Sequence, residues 1–192
     1  FLTATLFSPG VYTLSDFIRG VQGTEWASVG HVASERVAIL RLAGLRRIPM
    51  DNSEIGGVRY WKVATFNTLL VDATSKPFIS SGVALKPWAP TAVRAAFGTD
   101  ITLTWDRRSR LSKIFTSGIV PLGETLESYS IDVFSDGTFT VLKRTLTATT
   151  PTVLYTAAMQ TADFGGAQTT INVKIYQISD VVGRGYPATA SL

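Results

Sequence analysis

Arginine carries a planar fork of donors that grips a carboxylate or phosphate with two bonds at once, which lysine cannot do. The chain sets three of them, Arg107, Arg108 and Arg110, directly behind the segment Ile101 to Asp106. In that segment Ile101, Leu103 and Trp105 alternate with Thr102, Thr104 and Asp106, the period of two of a strand with one buried and one wet face. If the alternation ran on, Arg108 and Arg110 would share a face and Arg107 would take the other, so no single acid could serve all three. At least one is expected to meet a carboxylate or backbone carbonyls on a neighbouring chain or on the N-terminal part of this one. The alternative is a strand end with solvated arginines.

A second set is aromatic. Trp26, Trp61 and Trp88 could stack on sugar rings, or fill cores and protein interfaces as such side chains commonly do. Glu124 and Glu127 form the most obvious carboxylate pair, the equipment of glycoside hydrolysis, although a spacing of three near a strand start reads more simply as surface charge. His31 is the sole histidine; with no second histidine and no carboxylate cluster beside it, it makes neither a zinc site nor a general base and is assigned a structural or surface role. Gly20 and Gly23 bracket a turn. No Gly-x-Ser-x-Gly, His-Glu-x-x-His or phosphate-binding glycine loop occurs. The chain is therefore expected to have no catalytic residues, metal or cofactor, and not to be an enzyme.

Composition narrows the class further. Hydrophobic residues make up 45 % of the 192, with no run near the roughly 18 apolar residues of a membrane span. The surplus apolar surface must go into cores or into contacts with partners. A net charge of +4, spread over eighteen basic and fourteen acidic residues, is too diffuse to point to nucleic acid. Without cysteine there is no disulfide framework and no thiolate nucleophile. The opening FLTATLF has neither the basic region nor the cleavage site of a signal peptide, and reads as the start of a piece of something longer.

The elements that must position these residues are strands. Leu2 to Phe7 and Val11 to Arg19 flank the turn Ser8-Pro9-Gly10; Val37 to Leu45 is a short apolar run read as a strand, followed by Val58 to Phe66, Thr68 to Val71 and Phe78 to Leu85. Lys86 to Pro90, KPWAP, is a stiff connector because two prolines bias their predecessors to extended geometry. It divides the chain into a β-rich domain, 1–87, and a second domain, 91–192. In the second, strands are expected at Ile101, Tyr129 to Val133, Phe139 to Leu146, Thr152 to Ala157, Thr170 to Gln177 and Ala188 to Leu192, with Ser135-Asp136-Gly137 as a hairpin turn. Short strands at this spacing mean a β-sandwich, with Trp105 expected to be buried against Tyr129, Ile131, Val173 and Ile175. The fold class is all-β, a small β-barrel or β-sandwich followed by a second sandwich.

Residues 91 to 192 resemble a fibronectin type III-like sandwich in the strand ending at Trp105, the Tyr-x-Ile-x-Val strand at Tyr129 to Val133 and the alternation at Ile171 to Ile175. A resemblance covering nearly the whole chain lies in GVYTLSDFIRGVQGTEW at 10 to 26, ALKPWAP at 84 to 90, LTWDRRSR at 103 to 110, VPLGE at 120 to 124, YTAAMQTADFG at 155 to 165 and QISDVVGRGYPA at 177 to 188. These fragments, in this order, resemble the C-terminal portion of phage tail-tip proteins, the baseplate hub or host-specificity proteins of siphophages and gene transfer agents. That resemblance implies a structural virion component at the tail tip (baseplate), a homotrimer in contact with the distal tail protein and with a tail fibre or receptor-binding protein, serving host attachment. The alternative it leaves is a carbohydrate or receptor-binding module of the tail tip, meeting a host surface receptor or glycan. In either case Arg107, Arg108 and Arg110 are candidate interface residues, and Trp26, Trp61 and Trp88 candidate contacts to glycan or protein.

Overall fold

The computed structural model describes residues 3–32, 34–35, 37–38, 40, 42–46, 48–111 and 120–192. Thr3–Ser8 (β1) pairs antiparallel with Val11–Ser15 (β2), and Val58–Trp61 (β3) with Lys76–Ile79 (β4), making two separate two-stranded sheets. Beyond the connector come Thr91–Phe97 (β5), Ile101–Asp106 (β6), Tyr129–Phe134 (β7), Leu142–Ala148 (β8) and Thr152–Tyr155 (β9). A helix, Ala157–Phe164 (α1), precedes Asn172–Ser179 (β10), Gly183–Arg184 (β11) and Ala188–Ser191 (β12). The protein is all-β in class, with one α-helix among the described residues.

Residues 91–192 form a β-sandwich of two antiparallel sheets. One sheet runs β5-β6-β9; the other runs β8-β7-β10, with β11 and β12 both pairing along the outer edge of β10. Alternation explains why the two sheets close on each other. Ile101, Leu103 and Trp105 from the first share one buried cluster with Tyr129, Ile131, Val133, Leu146, Val173 and Ile175 from the second. Trp105, 2 % exposed, meets the edge of Tyr129 at 5.0 Å between centroids and 72° between planes, the T-shaped arrangement that ring quadrupoles favour. Its indole N–H is left without an acceptor of good geometry.

The strand β7 is buried on both faces. Outside the core, Arg184 folds over it and donates to both oxygens of Asp132 at 2.6 and 2.9 Å and to Ser130 Oγ at 2.6 Å, while Thr145 donates to Asp132 from β8 at 2.7 Å. A buried carboxylate is tolerable there because its lone pairs are taken by charged and neutral donors.

Several expected strands have other outcomes. Among the described residues of Val37 to Leu45 there is no strand; a 3-10 turn spans Leu42–Gly44, and Val37, Leu40 and Leu45 are exposed. Thr68 to Val71 lies in turns, and β3 stops at Trp61 rather than reaching Phe66. An apolar run becomes a strand only where a neighbour offers its backbone and covers one face, and the first 87 residues provide few such neighbours. Where a small barrel or sandwich was expected, their described residues hold the two hairpins, with Ala73 as the buried apolar side chain. In the second half the sequence reading overlooked β5, which has few large apolar residues, and α1. The helix is only eight residues long, too short for its period to stand out, but it has punctuation: Thr156 Oγ1 accepts from Met159 N at its start, and Gly165 ends it at φ 82°.

Candidate functional site at the connector

The connector is clamped to the sandwich. Pro87 O accepts from Tyr186 N at 3.0 Å, extending the edge of the β10 sheet by one bond. A Cβ on Gly185 would lie 2.5 Å from that same carbonyl oxygen, so only glycine lets the two backbones approach. The loop 20–26 then packs on the connector by the same device. A Cβ on Gly23, whose φ is +79°, would fall 2.3 Å from the Trp88 indole.

Onto this junction converge residues from distant parts of the chain. Arg108, just past β6, donates to Glu25 Oε1 at 2.7 Å and lies over Trp88 at 5.1 Å from the ring centroid. Glu25 opens a 3-10 turn, Glu25–Ala27. Partial burial would push its carboxyl up, but the Arg108 hydrogen bond and charge prevail and hold it below the usual carboxylate range. Trp26, next in the same turn, stacks on Tyr186 at 5.1 Å and 9°, and Lys86 Nζ sits 5.3 Å from the other aromatic, the Tyr186 ring. Burial pushes the Tyr186 hydroxyl up. Between these groups lies a cavity of about 250 Å³, lined by Gln22, Thr24, Trp26, Lys86, Trp88, Arg110 and Tyr186 among others.

The three arginines do not divide as strand alternation predicts, because β6 ends at Asp106 and the backbone is no longer extended beyond it. Arg107 donates to Val120 O at 2.8 Å and to Glu127 at 3.0 Å; Arg110 donates to Glu124 at 3.1 Å and to Gly123 O at 3.1 Å. These two therefore hold one segment, 120–127, and Arg108 alone reaches the N-terminal loop. Each has its own acid. Glu124 and Glu127, read from spacing as surface charges, are instead the partners that anchor this segment: the Glu124 side chain is 2 % exposed, and Glu127 also accepts from the buried Tyr129 hydroxyl at 2.7 Å. Neither lines the cavity.

Of the three tryptophans, the fold brings Trp26 and Trp88 together and leaves Trp61 elsewhere, in an apolar cavity of about 470 Å³ with Ile48, Met50, Val63 and Phe78. His31 Nδ1 pairs with Glu35 at 2.6 Å on exposed backbone. Three site residues escaped the sequence reading: Glu25, Lys86 and Tyr186. Each lies within a quoted fragment, but no local pattern says that a glutamate at 25 faces an arginine eighty-three positions on. Among the described residues no group of three or more His, Asp or Glu is placed to hold a metal ion.

No family model matches the chain, and no curated protein matches it. Among solved structures, domains d3–d4 of the rat CD45 extracellular region align over 99 % of this chain and 93 % of that one, at 12 % identity and a TM-score of 0.39. A human fourth FNIII domain aligns over 56 % of this chain and 78 % of its own, at 16 % identity and a TM-score of 0.37. No helix among the described residues is long and apolar enough to cross a membrane.

Proposed function

We propose that the chain is a non-enzymatic structural component of a phage-like tail tip, a part of the baseplate hub whose work is oligomeric assembly and host attachment. The observation that carries this reading is the apolar surface of residues 3–83. Phe7, Val63 and Phe66 are 81, 82 and 94 % exposed, and Leu6, Tyr12, Ile18, Leu69 and Val71 are also exposed. Large apolar residues left outside in this number favour an interaction surface over a solvated one, and a lone two-stranded hairpin is marginal in water until something packs on it. The arrangement suits a piece completed by its neighbours: further copies of itself, the distal tail protein, or a tail fibre. The resemblance of six fragments, in order along the sequence, to tail-tip proteins supports the tail tip as that assembly.

The test is the mass of the purified chain by light scattering, alone and after mixing with the neighbouring tail-tip proteins, together with amide exchange over β1 to β4. The expected result is a trimer or a stable mixed complex, with exchange in β1 to β4 slowed on assembly. A monomer that binds none of these proteins and already protects β1 to β4 would overturn the reading.

A second reading, a carbohydrate or receptor-binding module of the same tail tip, is favoured by one observation. Trp26 remains 53 % exposed at a cavity that also holds Trp88, Gln22 and Thr24. Binding of the chain to host cells or to a glycan array tests it.

A further inference from the structure

We infer that the hairpin β1-β2 is an assembly arm whose β2 edge pairs with the β1 edge of the same hairpin in the next copy of the chain, closing a ring with the apolar face inside. This rests on the first reading above and gives it a surface and a partner. A strand with an unpaired edge offers its N–H and C=O groups to any other strand, and proteins that stay apart blunt such edges with charge, proline or shortness. Among the described residues the other edge strands follow that rule. Strand β3 carries Arg59, β4 Lys76 and Pro77, β5 Arg94, β8 Lys143 and Arg144, while β9, β11 and β12 have four residues or fewer. Strands β1 and β2 have six and five residues, pair only with each other, and hold neither charge nor proline. No charged side chain occurs from Phe1 to Ser15.

The register gives this hairpin two unlike faces. Ala4 lies opposite Leu14 and Leu6 opposite Tyr12, so these four share one side; Thr3 lies opposite Ser15 and Thr5 opposite Thr13, and these share the other. The bulge falls between Leu6 and Ser8, beside the turn, and leaves those four pairs regular. Thr3 Oγ1 and Ser15 Oγ both donate to the exposed Asp16 carboxylate, at 2.7 and 3.0 Å, which marks the hydroxyl face as the one toward water. The apolar face lacks a cover: Leu6 and Tyr12 are 59 and 60 % exposed.

A further copy meets both deficits in one arrangement. A face without charge does not select a partner of opposite sign, but it matches itself. Because the side-chain period is two, any in-phase antiparallel pairing of β2 with the next β1 sets Tyr12 and Leu14 beside Ala4 and Leu6 of that copy. Pairing β1 with β1 about a two-fold axis would leave both β2 edges bare, whereas pairing β2 with β1 around a ring leaves none. In a trimer, two strands from each copy enclose the apolar side chains, and a hairpin marginal on its own becomes part of a sheet large enough to stand.

The experiment sizes the full 192-residue chain by light scattering across a range of concentrations, alone and with the neighbouring tail-tip proteins, as parent, Leu6→Lys and Val63→Lys. Val63 is a still more exposed apolar residue outside the hairpin. Because the chain has no cysteine, Thr5→Cys chains can also be mixed with isotopically heavy Thr13→Cys chains, oxidised, and their disulfides sorted by mass. The expected result is a trimer that Leu6→Lys weakens at least about tenfold, since the lysine would have to enter the closed face. Val63→Lys should keep the trimer, both variants should melt as the parent does, and disulfides joining Thr5→Cys to Thr13→Cys chains should exceed those joining like chains. A trimer indifferent to Leu6→Lys, or one that Val63→Lys disrupts as strongly, would overturn the inference and leave the assembly reading standing. Predominance of disulfides between two Thr5→Cys chains would replace the ring with two-fold pairing. A monomer at every concentration would also overturn the inference, and would take the assembly reading with it only where no neighbouring tail-tip protein binds and β1 to β4 are already protected from exchange.

Discussion

Trp105 offers the most direct test of how the sandwich is held together. Taking an indole out of water removes roughly 150–250 Å², which at about 25 cal/mol per Å² stabilises by roughly 4–6 kcal/mol. The side chain is 2 % exposed, so nearly all of that applies, but its N–H has no acceptor of good geometry, and an unsatisfied buried donor costs about 1–3 kcal/mol. Relief of that donor offsets part of the loss and the cavity left by the truncation adds to it, so Trp105→Ala is expected to destabilise by about 3–5 kcal/mol, the range of large aromatic truncations. At roughly 4–8 °C per kcal/mol for a domain of this size, Tm should fall by at least about 12 °C. Trp105→Phe removes the orphaned N–H together with part of the ring. The two effects oppose each other, and the loss should stay within about 1.5 kcal/mol. Urea unfolding followed by far-UV circular dichroism measures both variants on one scale. A Trp105→Ala variant within about 1 kcal/mol of the parent, or a Trp105→Phe variant as damaged as the alanine, would refute both the core assignment and the account of the indole nitrogen.

Three further outcomes are expected. In a double-mutant cycle of Glu25→Gln and Arg108→Gln, the half-exposed pair should show a coupling of roughly 0.3–1 kcal/mol, read from exchange of the 20–26 amides, and a coupling of zero would reduce Arg108 to a solvated arginine. Gly23→Ala has no room for its Cβ and demands a left-handed backbone, so Trp88 should be displaced and its fluorescence should shift red while the sandwich melts near the parent; an unchanged spectrum would show that the close packing on Trp88 is absent in solution. Asp163 is gripped by Arg144 at 2.7 and 2.8 Å and accepts from the Tyr155 hydroxyl at 2.7 Å. The Arg144 hydrogen bonds, against burial, hold its carboxyl below the ordinary 3.8. The folded value lies below the unfolded one, so this stabilisation is fully present above about pH 4 and fades as pH falls through the folded value. Acid unfolding of Asp163→Asn should therefore lose part of its pH dependence below pH 4, and superimposable acid profiles for parent and variant would count against the pair.

The sandwich was legible because its signal is local. Alternation in Ile101 to Trp105, Tyr129 to Val133 and Ile171 to Ile175 needs only a period of two, and a buried face follows from it whatever the neighbouring strand is. Length rather than alternation suggested a strand at Val37 to Leu45, and the described residues of that apolar run join no sheet. Alternation was also silent at β5, and at α1, whose caps outweighed its periodicity. The stiffness of the connector is likewise written in its prolines. What the chain alone did not contain was the pairing of side chains far apart in sequence. Composition and spacing raised Arg107, Arg108, Arg110, Trp26 and Trp88 as residues in need of partners, but each partner depends on where the chain returns. Arg108 meets Glu25, Trp26 meets Tyr186, and Lys86 lies over the same Tyr186 ring where the backbone of Pro87 docks on Gly185 and that of Gly23 on Trp88. Two close backbone approaches, permitted by two missing Cβ atoms, place the loop, the connector and the sandwich end around one cavity, a geometry that arises when the elements pack together and that no single one of them encodes.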